Sequence, residues 1–128
     1  MKQPTSNDLI KYRITRSKET IAEVPFLIKR GYLQTAVNRI YYSCFYAVNA
    51  LLMKHNIRAH THSGVRQMFG LHFVKTKVIS IKFGKFYTDL FEKRHTGDYD
   101  DFVDFDKQTV NNLHKTAKKF VRTVENLI

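Results

Sequence analysis

The chain has 128 residues, of which 43% are hydrophobic and 26% are charged. This length suits one folded domain, residues 1–128, and this composition excludes both a disordered chain and a membrane-embedded one. No uncharged apolar run approaches the roughly 18 residues of a transmembrane helix, and the polar start from Met1 to Asp8 argues against a secretion signal. The one cysteine, Cys44, excludes an intrachain disulfide, and its apolar surroundings predict a buried, inert thiol. We therefore expect a cytoplasmic protein.

The charge of the chain is unevenly distributed. Lys and Arg number 22 and Asp and Glu 11, so the net charge is +11. Residues 1–97 carry 17 basic and 5 acidic side chains, whereas residues 98–106, DYDDFVDFD, carry five aspartates and no base. A basic body favours a polyanionic partner such as RNA, or an acidic protein, although a solvated cationic surface has the same composition.

The first half of the chain predicts two long helices. The first, from about Ser6 to Arg30, repeats apolar residues at steps of three and four, with Ser6 or Asn7 as its N-cap, Gly31 as its terminator and a kink at Pro25. The second, from about Tyr32 to Asn56, is apolar nearly all round and belongs at the centre of a bundle or against another chain. Its few polar residues therefore need partners: Asn38, Arg39, Ser43 and Asn49.

The second half predicts three shorter helices. They cover about Ser63 to Lys75, with His72 on the apolar face, about Ile79 to His95, ended by Gly97, and about Asp106 to Leu127, with Asp106 as the cap. The β-branched segment 77–83 has strand propensity, but a single strand would have nothing to pair with. The sequence thus predicts an all-α fold, an antiparallel up-and-down helical bundle of about five helices.

Three stretches of the sequence resemble one known family. The first is Ala36-Val37-Asn38-Arg39-Ile40-Tyr41-Tyr42, the second is His62-Ser63-Gly64-Val65, and the third is Arg94-His95-Thr96-Gly97-Asp98-Tyr99-Asp100-Asp101. In order and spacing they are similar to the central helix, the third helix and the loop before the last helix of stand-alone prokaryotic HEPN-domain proteins. The resemblance covers about Asn7 to Leu127.

This resemblance implies a helical bundle that forms homodimers and acts with a minimal nucleotidyltransferase in a toxin–antitoxin-like pair. It also implies metal-independent ribonuclease activity in some branches, which share an arginine followed after four to six residues by a histidine. Here the sequence departs from the family pattern, because the histidine nearest Arg94 is the adjacent His95. Arg66 and His72 match that spacing, but they lie inside the predicted third helix, and so short a pattern arises by chance.

The candidate site is the predicted loop that contains Arg94 and the aspartates after it. Metal-free RNA cleavage needs a base near the 2′-hydroxyl and a cation for the charge that develops on phosphorus. Arg94 is the candidate cation, while the neighbouring aspartates could accept a proton but also repel phosphate. Equally, the aspartates could cap the last helix and pair with nearby bases. The predicted nucleotide-, RNA- or partner-binding residues are Arg39, Tyr42, Arg94, Asp98, Tyr99 and Asp101.

Three of these residues have further alternative roles. By resemblance, Tyr99 is the candidate acceptor of a nucleotide added by the partner enzyme, but it could instead pack its ring on the last helix. Arg39 could bind a phosphate, or it could pair with Asp98 inside the bundle. Tyr42 belongs to a stripe of tyrosines that could stack bases or simply fill the core.

Metal and cofactor sites are not predicted. His55, His60 and His62 lie near one another in the sequence, but they lack the spacing of a zinc motif, and His62 fits a helix start together with Ser63. No glycine-rich phosphate loop is present. Two functions remain: a homodimeric binding module for a nucleotidyltransferase, with RNA or nucleotide as a further ligand, or a ribonuclease toxin with a non-standard site around Arg94.

Overall fold

A computed structural model describes residues 5–99 and 104–128 of the chain, with side chains at the end of the fourth helix described as far as His95. The described residues form five α-helices and no strand: α1 (Ser6–Lys29), α2 (Leu33–Lys54), α3 (His62–Phe69), α4 (Ile81–Tyr99) and α5 (Lys107–Glu125). The predicted all-α fold is confirmed. Within the described ranges, no helix is both long enough and apolar enough to cross a membrane.

Local polar groups set both ends of α1. The N-cap is Thr5, whereas the sequence predicted Ser6 or Asn7. The Thr5 side chain accepts from the Asp8 amide, and the Asp8 carboxylate accepts from the Thr5 amide. At the other end Gly31 has φ +79°, a left-handed conformation that suits glycine. The amides of Gly31 and Tyr32 then donate to carbonyls of the last turn, which confirms the predicted termination.

Helix α2 is the core of the bundle and packs against α1, α3, α4 and α5. Its buried side chains run along its whole length, from Ala36 to Leu52. Because α2 is covered on most sides, its buried polar groups need internal partners. Ser43 finds one in α1: the Ser17 hydroxyl donates to the Ser43 carbonyl at 2.6 Å, and the Ser43 hydroxyl donates to the Ser17 carbonyl at 2.8 Å. This reciprocal pair ties the two longest helices together.

The segment after α3 departs from regular α-helix. A π-helical turn, Gly70–Val74, continues α3. Such a turn shifts the register of the side chains that follow it. His72, predicted on the apolar face, is therefore exposed, while Phe73 is buried. Residues 75–80 form turns rather than a strand, as predicted, and Ser80 caps α4 by accepting from the Phe83 amide at 3.1 Å.

Helix α4 is longer than predicted and lies close to the π turn. It continues through Gly97 to Tyr99, since one glycine costs a helix only about 1 kcal/mol and does not end it. Gly84 permits the close approach: a Cβ atom there would lie 2.8 Å from Val74 Cγ1. Helix α5 begins at the predicted cap, Asp106, whose carboxylate accepts from the Thr109 amide at 2.7 Å.

Candidate functional site

An aromatic cluster occupies the junction of α2, α3 and α4. Tyr41, Tyr42 and Phe45 lie on neighbouring positions of α2, and the Tyr41 ring is fully buried. From α4, Tyr87 stacks on Tyr41 at 6.0 Å and Phe91 meets it edge-on at 6.1 Å between ring centroids. Offset and edge-to-face contacts of this kind are the favourable geometries of aromatic pairs. The packed rings thus form a rigid surface, the aromatic wall, against which polar side chains can lie.

His62, the first residue of α3, lies against this wall. Its ring stacks on Phe45 with centroids 4.4 Å apart, and its Nδ1 atom is 2.8 Å from the Tyr41 hydroxyl. The start of α3 is held in place because the Thr61 side chain accepts from the Gly64 amide at 2.8 Å. The predicted role of His62 at a helix start is correct, but the sequence did not indicate its contact with the α2 tyrosines.

Arg94 approaches the same two tyrosines from α4. Its guanidinium carbon is 5.0 Å from the Tyr41 ring centroid and 5.9 Å from that of Tyr42, and the side chain is half-buried. Arg94 lies inside a helix and not in the predicted loop, which α4 replaces as far as Tyr99. A helix directs adjacent side chains about 100° apart, and the neighbouring His95 is exposed. His62 is therefore the histidine that shares the tyrosines with Arg94.

The surroundings of these groups set their protonation. Burial, together with the positive charge of Arg94, lowers the pKa of His62 below its ordinary value. Burial raises the pKa of the Tyr41 hydroxyl to about 12, although Arg94 acts in the opposite direction. At neutral pH the imidazole is therefore uncharged and the phenol keeps its proton. The cluster thus combines a fixed cation, a neutral histidine and a hydroxyl.

Two further arginines surround the cluster. The guanidinium of Arg39 lies 5.1 Å from the Tyr42 ring centroid and donates to the Asn38 side-chain oxygen at 2.8 and 3.2 Å. Arg66 lies 4.7 Å from the ring centroid of Phe91. Stacking on aromatic rings holds a guanidinium while its N–H groups remain able to donate. Arg39, Tyr42 and Arg94, which the sequence proposed for one site, are thus brought together.

The acidic part of the predicted site is described only in part. Asp98 and Tyr99 belong to the last turn of α4, but their side chains lie outside the described residues, as does all of Asp101. The predicted pairing of Arg39 with Asp98 and the environment of the Tyr99 hydroxyl therefore stay predictions. Among the described side chains, no three of the types His, Cys, Asp and Glu converge as metal ligands.

The arginine and histidine that match the family spacing do not share a site in the described structure. Arg66 is half-buried against α4, whereas His72 is exposed on the π turn and lines a separate cavity with His55. The chance interpretation of this match agrees with that geometry. Cys44 is fully buried in α2, and burial raises the pKa of its thiol far above the ordinary range.

The chain is therefore an all-α domain built around one central helix, with cations and a histidine held on an aromatic wall where three helices meet. The sequence profile of the HEPN domain matches residues 10–127, and the chain belongs to the HEPN domain family.

Among curated relatives, a UPF0332 protein of Thermotoga maritima is 40% identical over 120 residues, which cover 94% of this chain and 91% of the relative. A protein of Methanocaldococcus jannaschii named "putative toxin" is 33% identical over 103 residues, 80% of this chain and 70% of the relative. A second protein of that archaeon with the same kind of name is 32% identical over 83 residues, 65% of this chain and 62% of the relative. The chain is thus similar to these prokaryotic proteins, two of which carry toxin names.

Proposed function

We propose that this chain is a binding module of a toxin–antitoxin-like pair, that it acts with a minimal nucleotidyltransferase, and that the surface around Arg94 binds a phosphate of RNA or of a nucleotide. The observation that carries the proposal is the placement of the Arg94 and Arg39 guanidinium groups over the one ring of Tyr42. A planar guanidinium held in this way can donate two parallel hydrogen bonds to a phosphate. The net charge of +11 attracts such a polyanion from a distance.

The nucleotidyltransferase partner is proposed from the family resemblance, while the names of two relatives support a toxin role. Two archaeal relatives carry toxin names, and a toxin of this type requires an antitoxin. The segment after Arg94 contains Asp98, Tyr99 and Asp101, which are the proposed partner-facing residues, with Tyr99 as the proposed acceptor of a nucleotide. The flanking carboxylates could hold a magnesium–nucleotide complex in the active site of the partner enzyme.

A second function, metal-independent RNA cleavage, is supported by one specific arrangement: His62, uncharged at neutral pH, lies on the same two tyrosines as Arg94. In this reaction the imidazole takes the proton of a 2′-hydroxyl, the 2′ oxygen attacks phosphorus, and the bond from phosphorus to the 5′ oxygen breaks. The 5′ oxygen takes a proton from water, and the imidazolium releases its proton to solvent. The products are a 2′,3′-cyclic phosphate and a 5′-hydroxyl. Arg94, the proposed catalytic cation, offsets the negative charge that develops on the phosphoryl oxygens.

One set of measurements tests both functions. The chain is purified from its native host, co-eluting proteins are identified by mass spectrometry, and the neighbouring gene is sequenced. Binding of AMP and of single-stranded RNA is then compared between wild type, Arg94→Ala and the exposed-arginine control Arg122→Ala. We expect a co-eluting nucleotidyltransferase and a loss of binding only in Arg94→Ala.

The two functions differ in their effect on cells. Growth arrest on expression of the chain alone, lost in Arg94→Ala, selects the ribonuclease. Binding and partner capture that are equal in wild type and in a folded Arg94→Ala variant would refute the assignment of the site to Arg94.

A further inference from the structure

A second basic surface lies between the start of α1, the end of α2 and the α2–α3 connection. It is a cleft of about 540 Å³, a size that accommodates a nucleotide. Its polar lining includes Arg13, Asn49, Arg58 and His60, and no described residue that lines it is acidic. None of the sequence motifs pointed to this cleft, because its basic residues come from separate elements.

A donor on Arg13 that is unpaired in the described structure is independent evidence that this cleft needs a hydrogen-bond acceptor. Its side chain is half-buried on α1, and its Nε atom is sealed from solvent without a hydrogen-bond partner in the described part of the chain. A buried donor without an acceptor costs roughly 1–3 kcal/mol. Arg58, on the exposed connection, adds a second guanidinium to the same cleft. A half-buried arginine with an Nε–H group unpaired among the described residues, next to a second, exposed arginine, is well suited to an anion.

One half-buried face of α2 runs from the cleft to the Arg94 site. Residues on this face recur at steps of three and four, so they lie in one row: Arg39, Tyr42, Tyr46, Asn49 and Met53. From Arg39 to Met53 the row is about 21 Å long at 1.5 Å per helical residue. Arg16 of α1 lies 5.8 Å from the Tyr46 ring centroid, between the two basic clusters.

We infer that this row, which we call the α2 track, together with the Arg13–Arg58 cleft extends the Arg94 site into a groove for single-stranded RNA. Phosphates would contact Arg13 and Arg58, and a base would stack on Tyr46. The alternation of cations with half-exposed tyrosines favours RNA over an acidic peptide, because bases stack on such rings while carboxylates use only the charges. The inference rests on the proposed function, since it names the ligand class of the same site.

The test measures binding by fluorescence anisotropy across a salt series, for a single-stranded RNA of about ten nucleotides and for AMP. The Arg13→Ala/Arg58→Ala variant is compared with wild type and with Arg30→Ala/Arg122→Ala, which removes two exposed arginines that do not line the cleft. We expect the cleft variant to bind RNA about tenfold or more weakly, with the salt slope reduced by about two. AMP binding and the matched control should stay as in wild type.

Two further variants, compared with Arg94→Ala, make the outcome decisive. Arg58→Glu alters only an exposed side chain and should also weaken RNA binding, which guards against misfolding of the Arg13 variant. Tyr46→Leu should weaken RNA but not AMP binding.

If Arg94→Ala abolishes binding while the cleft variants bind RNA normally, the groove is refuted and the Arg94 site stands. If the cleft variants lose only the protein partner, the cleft is a docking surface and the RNA assignment is wrong. If Arg94→Ala has no effect either, the proposed function itself fails.

Discussion

The Tyr41 hydroxyl and Nδ1 of His62 lie 2.8 Å apart, joining the middle of α2 to the first residue of α3. The other ring nitrogen of His62, Nε2, makes no hydrogen bond to the described residues. It is also not one of the solvent-inaccessible polar atoms of those residues that have no partner. The contact fixes the orientation of the ring, and Nε2 is the basic nitrogen when Nδ1 donates to the Tyr41 hydroxyl. Nε2 is therefore the atom available to a ligand at the Arg94 site.

This geometry predicts that His62→Gln abolishes RNA cleavage if the chain is a ribonuclease. Loss of a general base lowers rates by roughly 10²–10⁴-fold, whereas His72→Gln, which changes an exposed histidine on the π turn, should cleave as wild type does. Because the pKa of His62 is lowered, the wild-type rate should rise with pH and level off by about pH 7. Cleavage of a labelled RNA in the presence of EDTA measures the rates of the two variants and the pH dependence of the wild-type rate. Equal rates in a folded His62→Gln variant would remove His62 from the reaction.

Acidification should destabilise the fold at mildly acidic pH. The pKa values of His62 and His114 are both lowered, chiefly by burial, so the unfolded chain binds protons more readily than the folded one. The stabilising contribution of these two histidines is fully present above about pH 6.5 and is lost progressively as the pH falls below that value. Urea unfolding at several pH values should show this decline, and His114→Gln should make it shallower. A free energy of unfolding that increases over this range would contradict the burial argument.

Gly84 is predicted to be required for the packing of α4 on the π turn. The Cβ of Gly84→Ala would lie 2.8 and 2.9 Å from the two Cγ atoms of Val74, and a β-branched side chain cannot easily move away. We expect a net loss of about 1–2 kcal/mol, since overpacking outweighs the gain in helix propensity.

Gly70→Ala is the matched control for this change, because a Cβ atom there would meet nothing within 4 Å and the backbone is helical. It should be neutral or slightly stabilising. Val74→Ala should restore part of the stability that Gly84→Ala removes, as measured by thermal unfolding. Equal effects of the two glycine substitutions would show that helix propensity, rather than packing, decides the outcome.

A homodimer is the fourth expectation. Seven large apolar side chains are exposed in the described part of the single chain, including Ile81 at 76%, Tyr12 at 62% and Phe26 at 58%. Where such side chains form one contiguous patch, they commonly mark a contact surface. Sedimentation equilibrium should give twice the 15.1 kDa of one chain, and Tyr12→Lys or Ile81→Lys should weaken association if it uses the respective surface. A mass of 15.1 kDa at all concentrations would exclude the dimer.

Local sequence patterns determined the helices and most of their ends. The repeat of apolar residues at steps of three and four places Val110, Ala117 and Phe120 on the buried face of α5, as the structure has them. Asp106 and Gly31 were predictable because capping depends on residues only three or so positions away. Local patterns gave the wrong boundary in two places. Thr5 and Ser6 are both suitable caps and stand side by side, and Gly97 is tolerated inside a helix.

The composition of the site was decided by packing between helices. The sequence pointed to Arg39, Tyr42 and Arg94, but it offered no histidine at the family spacing after Arg94, whereas the tertiary structure places His62 on the shared tyrosines. Arg13 and Arg58 likewise reach one cleft from separate elements. Periodicity along one helix indicates which face is buried, but it carries no information on which neighbour that face meets. Only the packing of α1, α3 and α4 around α2 brings these distant residues together, because that packing depends on the fit of all the side chains at once.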